Sequence, residues 1–298
     1  LHEIPPNGQG IAALIALGIL DTFDVASLPV DGVDSQHLQL EALKLAFAGL
    51  EPAGRYELLP ESTRAKASGD GWVLDGAKCV VIGAPSAHKL IVSARSGAAG
   101  SASLFLVDAQ AAGVTLNPCR TVDGQRAADV SFAGVKLGAD ALLGAKDEAL
   151  PLIDEAVDFA TALLCADAIG AMQHANDATL DYLKTRKQFG VPIGSFQVLQ
   201  HRMVEMFIQL EQARSMAILA AAKVDTASTT AERQRAVSGA KVRIADAARH
   251  ISQEAVQLHG GMGMTEELKI SHPFRRLTMI AQRFGDADHH LERYAALG

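Results

Sequence analysis

The chain has 298 residues, a formal net charge of −7 at neutral pH and 49% hydrophobic residues. That length gives room for two domains with a sizeable core, and the mild negative charge without basic runs excludes the electrostatic footprint of a nucleic-acid-binding protein. Cys79, Cys119 and Cys165 are widely spaced with no CxxC pair, which excludes a disulfide or zinc framework and fits reduced thiols in a cytoplasmic protein.

A Pro/Gly turn at Pro5-Pro6-Asn7-Gly8 opens the chain, and an Ala/Leu/Ile-rich helix is expected from Gly10 to Leu20. That apolar run is too short to span a bilayer, and the turn before it is no signal-peptide n-region. A polar stretch with Pro29, Asp31, Gly32 and Asp34 leads to a second helix from about Ser35 to Phe47. Period-two patterning then takes over in short runs: Trp72 to Leu74, Cys79 to Ile82, Leu90 to Ser93, Leu104 to Val107 and Val130 to Phe132. Turn signals at Gly69-Asp70-Gly71 and Asp75-Gly76 divide them, so an antiparallel β domain is expected over residues 49–146. From 147 to 298 the pattern is helical. One long helix is expected from Asp147 to Thr185, and two more from Met203 to Val224 and Thr230 to His259. The predicted fold class is α+β, with a β domain followed by an antiparallel helical bundle.

Two stretches in the helical half carry unusual chemistry. One is Arg186-Lys187-Gln188-Phe189-Gly190-Val191-Pro192-Ile193-Gly194-Ser195-Phe196-Gln197, and the other is Gln257-Leu258-His259-Gly260-Gly261-Met262-Gly263-Met264-Thr265-Glu266-Glu267. Each combines amide donors with glycines that let backbone approach a ligand closely, and the first adds a fixed cation. Together they resemble the flavin-contacting signatures of the acyl-CoA dehydrogenase family. The resemblance runs from about Leu45 to the end, and its domain order is that family's middle and C-terminal domains. The ending Phe284-Gly285-Asp286-Ala287-Asp288-His289-His290-Leu291 is similar to small subunits of heteromeric members, such as those acting on pimeloyl-CoA or steroid side-chain thioesters.

The resemblance implies FAD as cofactor, an acyl-CoA thioester as substrate, and electron-transfer flavoprotein as electron acceptor. It also implies an oligomer, built with a larger acyl-CoA dehydrogenase subunit or with further copies of the chain. Arg186 is expected at the flavin pyrophosphate, because a planar, permanently charged fork suits phosphate oxygens. Gln188 and Phe189 would line the same site, and Gln257, Gly260 and Gly261 would approach the adenosine side, all acting on a neighbouring subunit's flavin. The plainer alternative is an arginine capping the long helix, where a cation is favoured by up to about 1 kcal/mol.

The chain also departs from the family. The tryptophan and threonine that meet the flavin ring are replaced by Val80 and Ile82, and of a Thr-Glu-Pro loop only Glu51-Pro52 and a glycine remain. The usual catalytic glutamate falls at Phe284, and the alternative base position, on the first long helix, falls at Ala160. Asp158 lies two residues away on a different helical face. Asp286 and Asp288 are the remaining weak candidates for a base, although a helix cap is the simpler role for either. His289 and His290, being adjacent, cannot both face one metal, so no metal site is expected. The expected function is therefore a small, non-catalytic subunit of an FAD-dependent enzyme that forms α,β-unsaturated acyl-CoA.

Residues 1–48 stand apart. Glu3 to Leu14 and Glu41 to Ala48 resemble an internal segment of γ-glutamyltransferases, without the threonine nucleophile of that family. They read as a helical fragment fused in place of the usual N-terminal helical domain. The alternative function is a γ-glutamyltransferase or hydrolase fragment, or an inactive chimera of the two families.

Overall fold

The structure is a computed structural model that describes residues 45–97 and 99–297. The helix expected at Gly10 to Leu20 lies outside the described residues, as does most of the γ-glutamyltransferase-like segment. Two compact units divide the chain between Ala160 and Thr161.

The first unit holds two four-stranded sheets. One has the order β1-β4-β5-β8, from β1 (Leu45–Ala48), β4 (Lys89–Ala94), β5 (Ser103–Asp108) and β8 (Leu142–Leu143). The other has the order β2-β3-β7-β6, from β2 (Arg64–Ser68), β3 (Gly71–Ile82), β7 (Arg126–Leu137) and β6 (Val114–Arg120). Their inward residues share one core that includes Ala46, Leu90, Val92, Phe105, Leu74, Val130 and Phe132. Trp72 of β3 meets Phe105 of β5 edge to face, with ring centroids 5.3 Å apart, the arrangement the aromatic quadrupole favours.

The expectations for this unit need two corrections. Leu45–Ala48 was expected to end a helix; it is a strand paired in parallel with β4, so the sheet is mixed rather than wholly antiparallel. Ala46 and Ala48 are fully buried there, and sheet burial overrides the helical preference of an Ala/Leu-rich run. The runs 72–74 and 79–82 belong to one strand, β3. Asp75-Gly76 is no turn: Gly76 sits at φ 139° where the β3–β7 register shifts, a bulge that lets the strand continue. The turn at Gly69-Asp70 does close the β2–β3 hairpin, with Gly69 at φ 57°.

Helices α1 (Ala149–Thr185), α2 (Gln197–Thr226) and α3 (Thr230–His259) match the three long periodicities, and α4 (Ser271–Gln282) and α5 (Ala287–Ala296) follow. Thr229 caps α3, its side chain accepting the Glu232 amide, the arrangement that satisfies an orphan donor at a helix start. The second unit begins within α1. Cys165, Ala168, Met172, Ala175 and Leu183 form its buried stripe, facing Met206, Leu210 and Ala213 of α2 and Ile244, Ala248 and Ile251 of α3. Alanines at these contacts let the helix backbones approach closely. Bridges across the helices include Arg202 to Glu254, at 2.5 and 2.9 Å, and Arg276 to Asp167. No helix among the described residues is long and apolar enough to cross a membrane.

Candidate functional site

Arg186 follows the last residue of α1 and is exposed. Its amide bonds Tyr182 O at 2.8 Å and its carbonyl accepts from Ile193 at 2.9 Å, but its guanidinium has no partner among the described residues. It makes no hydrogen bond to a carbonyl of α1, although its charge still lies at that helix's C-terminus, where the dipole favours a cation. A two-stranded ribbon follows, pairing β9 (Lys187–Gln188) with β10 (Val191–Pro192). Phe189 and Gly190 form its tip with φ of 54° and 82°, the double positive φ of a type I′ turn. An aromatic residue is strained there, and Phe189 is 92% exposed, touching Phe196 with ring centroids 6.2 Å apart. Gln188 is exposed and donates to Lys187 O. Gly194 seats the ribbon against α1, since a Cβ there would lie 2.9 Å from Leu183 O.

The second stretch starts at the end of α3. Tyr182, one turn before Arg186, stacks on His259 with centroids 4.4 Å apart, so the ends of α1 and α3 meet and the two motifs share one end of the bundle. His259 is anchored by Nδ1 to Ala255 O at 2.8 Å, and burial lowers its pKa. The glycines divide by role. Gly260, at φ 64° and ψ −148°, occupies backbone space that glycine alone enters easily. Gly263 is packed, a Cβ there falling 2.6 Å from Val256 O. Gly261 has nothing within 4 Å of where its Cβ would be, so the fold itself does not require glycine there. Gln257 is exposed.

In the β unit, Lys78 and Glu51 form a buried pair at 3.0 Å. Glu51 accepts five bonds: from the amides of Glu61, Ser62 and Thr63, from Ser62 Oγ and from Lys78. Burial pushes its pKa up, but those donors and the lysine charge outweigh it and hold the carboxyl well below its usual range. Lys78 also donates to Gly49 O and Ser93 Oγ. With one carboxylate in place of bulk water, burial prevails and lowers it to about 8. Glu51 is thus a tether holding residues 49–63 to β3. Beyond it the strand bulges again, and Val80, at φ 47° and 43% exposed, has its amide fixed by Asp129 Oδ1 at 2.9 Å. A β-branched residue in left-handed backbone is an outlier. Ile82 is half-buried.

Both positions for a base are without an acid. Ala160 is buried in the first unit, where Asp158 is also buried. Phe284 stands on a corner after α4 at φ 58°, its ring packed against the bundle core and under the Arg283 guanidinium at 4.8 Å. Asp286 caps α5, Oδ1 accepting the His289 amide at 2.9 Å, and Asp288 is exposed in that helix's first turn. Among the described residues no group of three or more His, Cys, Asp or Glu side chains is placed to hold a metal ion.

Sequence reasoning missed Lys241, which is fully buried on α3 and directs Nζ to carbonyls around this corner. Burial lowers its pKa to about 8, against the attraction of Cys165 and Asp286. A lysine in an alanine-rich helix reads as solvated; the one available hint was its run of small neighbours, Ser238-Gly239-Ala240.

The family model described as "Acyl-CoA dehydrogenase, middle domain" matches residues 46–135, and that described as "Acyl-CoA dehydrogenase, C-terminal domain" matches residues 150–296. A 3-(aryl)acrylate reductase of Clostridium sporogenes is 30% identical over 80% of this chain and 64% of its own length. Acyl-CoA dehydrogenase fadE12 of Mycobacterium tuberculosis is 31% identical over 91% of this chain and 72% of its own. The chain thus spans less than two thirds of the first relative and somewhat more of the second. The fold matches the ChsE4-ChsE5 complex of Mycobacterium tuberculosis with a TM-score of 0.80 at 23% identity, over 96% of this chain and 74% of that one. It matches a Mycobacterium smegmatis glutaryl-CoA dehydrogenase in complex with FADH2 with a TM-score of 0.78 at 22% identity, over 92% and 71%.

Proposed function

The chain belongs to the acyl-CoA dehydrogenase family, and on that premise we propose that it is a small, non-catalytic subunit of a heteromeric FAD-dependent enzyme forming α,β-unsaturated acyl-CoA. FAD is the family's cofactor, and bound here it would supply the hydride acceptor for thioester oxidation. The observation that carries the reading is the residue on the corner after α4. By resemblance the family's base falls there, and the Phe284 side chain has no group that can accept a proton. Ala160, at the alternative position, has none either.

The bundle residues fit the phosphate side of a flavin dinucleotide. Arg186 offers an exposed cation with no partner among the described residues, Gly261 leaves open space beside its backbone, and Phe189 projects from a strained tip. Gln188, Gln257 and Gly260 lie on the same two stretches. The β unit offers the flavin ring neither an aromatic face nor a hydroxyl at Val80 and Ile82. The cofactor would therefore be held mainly by a larger partner subunit, to which this chain lends the six residues. A structure neighbour that is itself a two-protein complex supports the heteromeric reading. Electron-transfer flavoprotein is the proposed electron acceptor. The middle and C-terminal domains are proposed to correspond to residues 49–146 and 147–298. No feature among the described residues favours a γ-glutamyltransferase reading.

Arg186→Ala tests the cofactor role. Removing a charge-assisted contact of roughly 1.5–3 kcal/mol should weaken FAD retention by the assembled oligomer about ten- to a hundredfold. Unchanged retention, measured by flavin absorbance after dialysis, would count against it.

A further inference from the structure

Arg283, Phe284 and Gly285 lie beyond the last residue of α4, Gln282, yet all three carbonyls are bonded by buried side chains. Lys241 Nζ donates to Ala281 O at 3.3 Å, Arg283 O at 2.8 Å and Gly285 O at 2.5 Å. His290, 1% exposed on α5, meets the intervening Phe284 O through Nε2 at 2.9 Å and Ser238 Oγ through Nδ1 at 3.2 Å. Because a carbonyl only accepts, Nε2 carries the proton. Burial, followed by the charges of Lys241, His289 and Arg293, lowers the ring's pKa to about 3. The neutral ring then accepts from Ser238 at Nδ1. Gly285 completes the grip, since a Cβ there would fall 2.5 Å from His289 Cδ2 and 2.7 Å from His290 Nε2.

A helix C-terminus needs only the carbonyls of its last turn satisfied, and Ala281 O is one of these. Those of Arg283 and Gly285 are not. A glycine cap would end α4 without burying an ammonium, whose desolvation is costly. The arrangement specifies a conformation past the helix. We propose that Lys241 and His290 are positioning residues that fix the Arg283–Gly285 backbone and so set the direction in which residue 284 projects. The grip acts on backbone carbonyls, so it serves a phenylalanine or the family's glutamate alike and does not depend on the subunit reading.

The test places a single fluorinated phenylalanine at 284 in the full chain, with a second sample labelled at Phe105 in the β unit. The unsubstituted protein should give one narrow fluorine resonance at 284. Lys241→Met should split or broaden it and speed amide exchange over 283–286 by about tenfold or more. The Phe105 resonance and exchange within α2 should not change. A role confined to packing would lower the melting temperature while leaving the 284 resonance and local exchange intact in the folded protein, and that result overturns the proposal. Should Lys241→Met fail to fold, His290→Phe keeps a ring and removes the donor to Phe284 O. An unmoved 284 resonance in that variant overturns it equally. Neither readout involves flavin, so failure here stays distinct from failure of the Arg186→Ala retention test.

Discussion

At the scale of single residues, the two buried lysines invert the usual expectation for charge, while the exposed Arg186 follows it. Arg186 was legible because its chemistry is displayed beside Gln188, Phe189 and Gly190. Lys78 and Lys241 were not, because no local pattern marks a lysine that will be enclosed by backbone carbonyls from elsewhere in the chain. Glu51 was noticed for its motif, but its five donors come from residues ten and more positions away, and only tertiary structure brings them together. Its carboxyl is depressed in the folded state, so the stability it contributes is full above the unfolded value and is lost as pH falls through that value and below. Trp72, the chain's only tryptophan, lies in the same unit and reports on it. Urea unfolding followed by its fluorescence should show a midpoint that falls steadily as pH drops below about 4.5. Glu51→Gln should cost about 3–5 kcal/mol at neutral pH by leaving Lys78 unpaired, and should flatten the acid limb. A variant with the full acid dependence would place the responsible carboxylate elsewhere.

At the scale of elements, the long helices were readable because alanine-rich periodicity sustained over 30 or more residues in each has no competing strand solution, and Thr229 with Glu232 marks the start of α3. Short runs were less secure. Leu45–Ala48 carries no period long enough to separate helix from strand, and its pairing with β4 decides the matter. The bulges in β3 hid one strand behind what reads as a turn, because Asp-Gly signals both. Inside the 260–264 turn the glycines now separate by experiment. Gly263→Ala should destabilise the bundle by about 1–3 kcal/mol through its clash with Val256 O. Gly261→Ala should leave thermal unfolding unchanged, its Cβ meeting nothing, yet weaken FAD retention in the assembled oligomer. Equal melting losses for both would show that Gly261 is needed by the fold rather than by a ligand.

At the scale of the molecule, the chain joins the family's middle and C-terminal domains. The β unit contains the Glu51–Lys78 tether and a strained bulge at Val80, and the bundle displays Arg186 and the glycines of the 260–264 turn. The corner at 284 is gripped from two sides and carries a phenylalanine. The domain order was legible in the sequence because strand and helix periodicities are local patterns. The empty chemistry at Phe284 and Ala160 was legible only through resemblance, and the grip beneath Phe284 only through structure. The most direct test of the central claim is anaerobic reduction of added FAD by a panel of acyl-CoA thioesters, using this chain alone. General-base loss typically costs about 10²–10⁴ in rate, so the flavin should stay oxidised over the time in which an intact family enzyme bleaches it. Rapid thioester-dependent bleaching by the unsubstituted chain would contradict the non-catalytic reading and return Asp286 and Asp288 to consideration as the base.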